Sequence, residues 1–96
     1  MISDPTILVL ASLAEGDKHG YAMMDDIQRF AGIRLGAGTL YGAITRLEQR
    51  GWIQAIATND RRQPYSLTTA GREHLREQTQ SLDAVVRTAL ERLKRA

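Results

Sequence analysis

Residues 37–53, AGTLYGAITRLEQRGWI, change their hydrophobic period at a single glycine. Leu40, Ile44 and Leu47 recur at steps of four and three, so the first part of this stretch predicts a helix with one buried side. Gly51 follows at the position where a left-handed residue commonly ends a helix. The residues after it are partly β-branched and loosely alternating, which is typical of a strand.

Two further helices are predicted before this unit. The first begins at Ser3–Pro5, a capping pair followed by proline, and ends at Gly16. The second begins at His19 and closes at Gly32. After a short connector, the third helix runs from about residue 37 to residue 50. The predicted buried side of the second helix consists of Ala22, Met23, Ile27 and Phe30.

A hairpin and a long helix are predicted after it. Residues 52–58 and 65–67 form the two strands, and the polar residues 59–64 form their turn. Thr68 then caps a last helix over about residues 69–96, which spans about 40 Å at 1.5 Å per residue. Its apolar positions alternate steps of four and three like a coiled-coil seam. They are Leu75, Leu82, Val86, Ala89 and Leu93.

This order of elements predicts a mainly α fold with a small β-hairpin, a winged helix-turn-helix with a long C-terminal dimerisation helix. We expect residues 1–68 to form the winged helix-turn-helix DNA-binding domain and residues 69–96 to form the dimerisation helix. The last helix is longer than the rest of the domain can cover, so part of its apolar seam would stay exposed in a monomer. We therefore expect a homodimer.

The composition excludes several classes of protein. The chain has 96 residues, 43% hydrophobic and 25% charged, which is typical of one globular domain. It has no cysteine, and therefore no disulfide framework and no Cys-ligated zinc. The apolar run at residues 7–14 is too short to span a membrane, and the first residues lack the basic start of a signal peptide. We therefore expect a cytoplasmic protein that is not bound to a membrane.

The net charge of +2 is unevenly distributed along the chain. Residues 1–33 carry two basic and five acidic groups, residues 34–72 carry six and two, and residues 73–96 carry five and four. The basic excess of the middle segment is entirely arginine, the side chain best suited to phosphate and guanine contacts. An ordinary solvated face remains an alternative explanation.

The side of the third helix opposite its apolar residues is polar and carries no acidic residue. A helix that enters the major groove needs such a face, because small residues permit close approach while Thr, Arg and Gln reach base edges. A solvated helix face is the alternative. The candidate DNA contacts are Gly38, Gly42, Thr45, Arg46 and Gln49, with Thr39 and Tyr41 on the flanks.

Further candidate contacts lie outside the third helix. Arg61 and Arg62 at the hairpin tip would follow a phosphate backbone or enter the minor groove, or else belong to a polar turn. Tyr65 could donate its hydroxyl to a phosphate or pack the hairpin. Free N–H groups near Tyr21, at the start of the second helix, could hold a phosphate. His19 is interpreted as a cap or a surface histidine. Double-stranded DNA is the partner that these positions predict.

No catalytic or metal-binding pattern is found in the sequence. His19 and His74 are far apart and lack a carboxylate pattern for a triad or a metal site. Gly36–Gly38 lacks the Gly, the Lys and the preceding strand of a phosphate-binding loop. We expect no enzymatic activity, no metal and no cofactor.

Several short motifs occur in an order that resembles one family. They are His19–Tyr21 at the second helix, Gly38–Tyr41, Leu47–Glu48 and Gly51–Ile53 at the third, and Arg61–Arg62, Tyr65–Thr68 and Gly71–Arg72 at the wing and the start of the last helix. This pattern resembles PadR-type winged helix-turn-helix transcriptional regulators over nearly the whole chain. The resemblance implies a dimeric repressor on a roughly palindromic operator. The alternative is a winged-helix module that binds a protein and not DNA.

The chain departs from the family pattern at two points. Gly42 stands where the family often has Pro, and Pro64 and Tyr65 stand where it usually has paired aromatic residues. Some proteins of this family bind planar aromatic molecules at the dimer centre. Trp52 could therefore line a pocket for an effector, or it could pack the wing onto the helices.

Overall fold

In a computed structural model of the chain, which describes residues 4–96, four helices and three short strands surround one core. The fold is mainly helical with a small antiparallel sheet and a long C-terminal helix, as predicted. The predicted cap residue Ser3 lies outside the described residues. The elements are α1 (Pro5–Leu13), β1 (Lys18–His19), α2 (Gly20–Ala31), α3 (Ala37–Gln49), β2 (Ile53–Ala55), β3 (Pro64–Leu67) and α4 (Thr69–Arg95).

Local capping explains where the helices begin and end. A carboxylate oxygen of Asp4 accepts the N–H of Thr6 at 3.0 Å and so caps α1. Gly32 and Gly51 adopt left-handed backbone conformations, with φ of 73° and 75°, at the ends of α2 and α3. Glycine reaches this conformation without the steric cost that a Cβ imposes. The glycines that end both helices were therefore predictable from the sequence.

The sheet has one strand more than the predicted hairpin. Its order is β1-β3-β2, with Lys18 opposite Tyr65 and Ile53 opposite Leu67. The prediction of two strands missed β1 because a segment of two residues has no measurable period. The prediction that the first hairpin strand covers residues 52–58 was too long, since β2 contains only three residues.

The end of the hairpin ladder has a specific chemical cause. The N–H of Ile56 donates to the carbonyl of Pro64 at 3.0 Å, which is the last backbone hydrogen bond between the two arms. The side-chain amide of Gln63 then donates to the carbonyls of Ile56 and Pro64, each at 2.7 Å. The side chain of Gln63 thus replaces further backbone hydrogen bonds between the two arms. The turn of the hairpin, which we call the wing turn, begins here.

The core lies between the first three helices and the sheet. Leu40, Ile44 and Leu47 of α3 are buried, as their spacing predicted. The prediction that Phe30 is buried was wrong, because its side chain is 50% exposed. The buried side of α2 is centred on Met23 and Ile27, and Phe30 lies beyond its edge. The ring instead borders an apolar groove between α1, α2 and α4.

A polar network fixes the start of α2 against α1. The buried hydroxyl of Ser12 donates to a carboxylate oxygen of Asp26 at 2.8 Å. Lys18 donates to the carbonyl of Ser12, and its ammonium lies 3.8 Å from Asp26 and 2.8 Å from Glu15. Buried polar groups are stable only when paired in this way. The network holds β1, and therefore the adjoining wing, beside the end of α1.

The last helix extends away from this core. Leu75 is partly buried and packs against the core, whereas every residue from 76 to 96 is exposed. The molecule consequently measures 57 × 26 × 20 Å. The exposed large apolar side chains of α4 are Leu82, Val85, Val86, Leu90 and Leu93.

Candidate nucleic-acid interface

The N-terminal end of α3 is open to an approaching molecule. Gly36 begins the helix without a side-chain cap, and residues 36–39 are all exposed. A Cβ placed on Gly36 or on Gly38 would meet nothing within 4 Å. The first turn of a helix carries free N–H groups and the positive end of the helix dipole. This end can therefore accept a phosphate or lie close to a base edge.

The exposed side of α3 carries the polar groups that the sequence predicted for it. Thr45, Arg46 and Gln49 are exposed. The hydroxyl of Thr45 donates to the carbonyl of Tyr41 at 2.9 Å, so its oxygen faces outward mainly as an acceptor. A Cβ on Gly42 would lie 3.5 Å from a guanidinium nitrogen of Arg46. The surface left open by the missing side chain of Gly42 is thus partly covered by this arginine.

Tyr41 connects the flank of α3 to the start of α2. Its ring lies directly on Gly20, where a Cβ would stand only 2.8 Å from the ring carbon that bears the hydroxyl. A residue with a Cβ at this position would push the Tyr41 ring aside. His19 caps α2 as expected, since its Nδ1 accepts the N–H of Ala22 at 3.3 Å. Tyr21, the residue after Gly20, is 64% exposed.

A cleft of about 240 Å³ lies where α2, α3 and the wing meet. It brings together side chains that are up to 44 positions apart in the sequence, from His19 to Gln63. Two phenol hydroxyls and two guanidinium groups lie around it. The lining residues are His19, Gly20, Tyr21, Tyr41, Arg61, Arg62 and Gln63.

The wing turn is held by its own side chains. The N–H of Asp60 donates to the hydroxyl of Thr58 at 3.0 Å, and a carboxylate oxygen of Asp60 accepts the N–H of Arg62 at 3.2 Å. This hydrogen bond and the nearby charge of Arg62 lower the pKa of Asp60 below its ordinary value. The side chains of Arg61 and Arg62 remain exposed at the tip.

The arginines of the middle segment differ in their partners. Arg34 forms an ion pair with Asp25 at 2.6 Å, and this hydrogen bond lowers the pKa of that carboxyl. Within residues 4–96, the remaining five form no ion pair with an acidic side chain. These are Arg46, Arg50, Arg61, Arg62 and Arg72. Their charge is available to a partner.

Tyr65 has a different environment from the wing tip. It lies in the central strand β3 and packs against the core. Burial raises the pKa of its phenol, and the negative charge of Glu48 contributes in the same direction. The hydroxyl therefore stays protonated near neutral pH. The sequence analysis gave no role to Glu48, an exposed carboxylate on the wing side of α3.

Trp52 is half-buried and packs against the helices. Its ring stacks on His74 of α4, with centroids 3.6 Å apart and planes 11° from parallel. The guanidinium of Arg50 lies 5.2 Å from the indole centroid. This geometry favours the packing interpretation of Trp52 over the effector-pocket interpretation. The role of His74 was missed because its partner is 22 positions away in the sequence.

Two other kinds of site were searched for among residues 4–96. No group of three His, Cys, Asp or Glu side chains in this range could hold a metal ion. No helix within it is long and apolar enough to cross a membrane.

A helix-turn-helix whose second helix exposes small and polar residues, followed by a short sheet with a basic tip, defines the winged-helix class of DNA-binding proteins. The family model described as "Transcriptional regulator PadR-like family" matches residues 9–77. The chain belongs to this family, so the resemblance drawn from its motifs is confirmed.

Individual proteins are also similar to the chain in sequence or in fold. The chain is 42% identical over 80 residues to an uncharacterised 37.1 kDa protein of a Streptomyces fradiae transposon, covering 83% of the chain but only 23% of that protein. It is 32% identical over 85 residues to a transcriptional regulator of Mycobacterium tuberculosis, covering 85% of the chain and 78% of the regulator. A PadR family transcription regulator from Clostridium difficile has the same fold, with a TM-score of 0.84 and 24% identity. The match covers 93% of this chain and 97% of the regulator.

We predict that the wing turn loosens in acid. Because the folded pKa of Asp60 lies below its ordinary 3.8, the hydrogen bond to Arg62 is complete above that pH and is lost as the pH falls through the lower folded value. The amide signal of Arg62, followed by NMR, should titrate with a midpoint below 3.8. Asp60→Ala should abolish this titration. A midpoint at or above 3.8 would show that the hydrogen bond does not hold the turn.

Proposed function

We propose that the chain acts as a homodimeric repressor that binds double-stranded DNA at a roughly palindromic operator, with α3 in the major groove. The observation that carries this proposal is the exposed side of α3. It offers small residues and an open backbone at its N-terminal end, then hydroxyl, guanidinium and amide groups, and it has no acidic group in the centre of the face. A helix of about 10–12 Å diameter with such a side fits the major groove.

The polar side chains of α3 would read the sequence. Arg46 can donate two hydrogen bonds to a guanine edge, and Gln49 can bond an adenine edge. The hydroxyl of Thr39 suits either kind of edge, whereas the hydroxyl of Thr45, which donates to Tyr41, would accept from a base amino group. Gly38 and Gly42, with Tyr41 on the flank, would set how closely the helix approaches the bases.

The wing and the start of α2 would position the protein on the backbone. Arg61 and Arg62 are exposed and lie in the same cleft as Tyr21, so one phosphate strand could pass all three. Tyr65 is the weakest of these contacts. Its half-buried position in the sheet favours packing over phosphate binding.

The apolar side of α4 supports the homodimer. Leu82, Val86, Ala89 and Leu93 are exposed along the predicted seam, whereas Leu75 already packs partly on its own core. Val85 and Leu90 widen this stripe beyond a single coiled-coil seam. A wider stripe can cover more than one helix, which fits pairing with α4 and α1 of a second copy.

The same stripe contains room for side chains of a partner. A shallow groove of about 650 Å³ is lined by Ala84, Val85, Thr88, Ala89, Arg92 and Leu93. Exposed apolar surface of this kind marks an interaction site in a small protein. We therefore assign residues 69–96 to dimerisation and residues 1–68 to DNA binding, and any small-molecule effector would bind between the two subunits.

A pair of arginine variants tests the proposed DNA face. Arg46→Ala should weaken operator binding by ~1–3 kcal/mol and change the preferred sequence, because a base contact is lost. Arg61→Ala should weaken binding to all sequences alike and lower the salt slope by about one, because a phosphate contact is lost. Duplexes selected by the wild-type protein from a random pool serve as operators in mobility-shift titrations. Arg87→Ala, at an exposed position of α4 paired with Asp83, is the matched control.

The result can contradict the proposal in two ways. If neither variant changes binding at low salt, the DNA face is wrongly placed. If the wild-type chain shows no salt-dependent binding even to generic duplex DNA, the protein-interaction module is the better function. Repression itself is tested with a reporter downstream of the selected operator, where activation in place of repression would refute that part.

A charge placed in the α4 stripe tests the dimer. The wild-type chain should sediment as a dimer at micromolar concentration, and Val86→Asp should be monomeric because the carboxylate would lose water at the interface without a partner. Gln80→Asp adds the same side chain on the opposite side of α4 and should remain dimeric. A stable wild-type monomer, or a Val86→Asp variant that stays dimeric, would contradict this assignment.

A further inference from the structure

The end of α3 is fastened to the start of α4 by one threonine. The N–H of Thr68 donates to the carbonyl of Trp52 at 3.1 Å, and its hydroxyl donates to the carbonyl of Gly51 at 2.7 Å. The same hydroxyl accepts the N–H of Gly71 at 3.0 Å and caps α4. Two hydrogen bonds therefore join the residues that follow α3 to Thr68, and a third continues from Thr68 into the first turn of α4.

Gly71 brings the backbones of the two segments into direct contact. It is buried, and a Cβ on it would collide with the carbonyl oxygen of Trp52. That Cβ would also stand 2.9 Å from a methyl carbon of Leu67. The carbonyl of Trp52 belongs to the backbone, so it cannot move aside at little cost as the end of a side chain could. Glycine ordinarily weakens a helix slightly, but the structure requires glycine at this position.

One turn further along α4, His74 stacks on the indole of Trp52. This second contact lies on the same segment that Gly71 touches. We call Gly51, Trp52, Thr68, Gly71 and His74 together the joint. These residues lie between the proposed DNA face and the dimerisation stripe and belong to neither.

The joint and the contact between α4 and α1 together set the direction of α4. Beyond Leu75, no residue of α4 is buried. The helix has 27 residues and is about 40 Å long, so a tilt of about 10° at the joint would move its far end by about 7 Å. Two base pairs of DNA occupy about the same length. A small change at the joint would therefore alter the separation of two α3 helices in a dimer.

We propose that the joint sets the half-site spacing that the dimer accepts, with Gly71 and His74 as positioning residues. The inference rests on the proposed function, since it requires a dimer that binds two half-sites. It assigns a role to residues that lie outside both the proposed DNA face and the apolar stripe of α4. The angle between α3 and α4, and not only the length of α4, would determine which operators are bound.

The test uses the full chain and a set of duplexes. Half-sites selected by the wild-type protein are rebuilt in pairs, with the spacing changed by one base pair at a time, and as single half-sites. Affinity for every duplex is measured for wild type, Gly71→Ala and His74→Ala, and sedimentation confirms that each is a dimer. Gln80→Ala, a neutral and exposed position on α4, is the control.

Gly71→Ala should lose affinity on the wild-type spacing by on the order of tenfold or more, because the second half-site is no longer reached together with the first. Its affinity for a single half-site should be unchanged, and its best spacing should shift. His74→Ala removes the stack without a clash and should accept neighbouring spacings more evenly. If Gly71→Ala does not fold, the spacing profile of His74→Ala tests the proposal by itself.

The proposal is overturned if both variants show the same dependence of affinity on spacing as the wild type. If only His74→Ala folds, the same result for that variant overturns it. An equal loss on single half-sites would overturn it as well, because the damage would then lie in α3 itself. A wild-type protein that selects no DNA would instead refute the proposed function, and the inference with it. If only the role of the joint is wrong, the wild-type protein still binds DNA with a preferred half-site spacing.

Discussion

The burial of one side of α3 is the constraint on which the other features depend. The side chains of Leu40, Ile44 and Leu47 are fully buried. The helix therefore cannot rotate about its axis without removing them from the core. The opposite side is consequently fixed toward solvent. The first turn, from Gly36 to Thr39, projects beyond the core and leaves its backbone accessible. A surface that is held in one orientation can distinguish one base sequence from another.

The rest of the fold supports this surface from two directions. Tyr41 on Gly20 joins α3 to the start of α2, and the Ser12 network holds that start against α1. At the other end, Thr68 and Gly71 join α3 to α4. The first set of contacts arranges one DNA-binding unit, and the second would relate two units to each other. Recognition of bases and recognition of spacing would thus depend on different contacts.

Local signals made most of this arrangement predictable. The apolar spacing of α3, the glycine that ends it and the cap at Thr68 each act within a few residues. What the sequence did not reveal depends on residues that are distant along the chain. β1 forms only because β3 lies beside it, and Gly71 is required only because the carbonyl of Trp52 comes so close. Phe30 was misassigned because helical periodicity does not show where the core ends. The candidate DNA contacts remain predictions, since their partner is a separate molecule.

Methylation interference on DNA selected by the wild-type protein tests the central claim most directly. Dimethyl sulfate modifies N7 of guanine in the major groove and N3 of adenine in the minor groove. Our account predicts interference by methylated guanines in two symmetric clusters, with centres about one helical turn apart. A single cluster, or interference confined to the minor groove, would contradict a dimer that places α3 in the major groove of two half-sites.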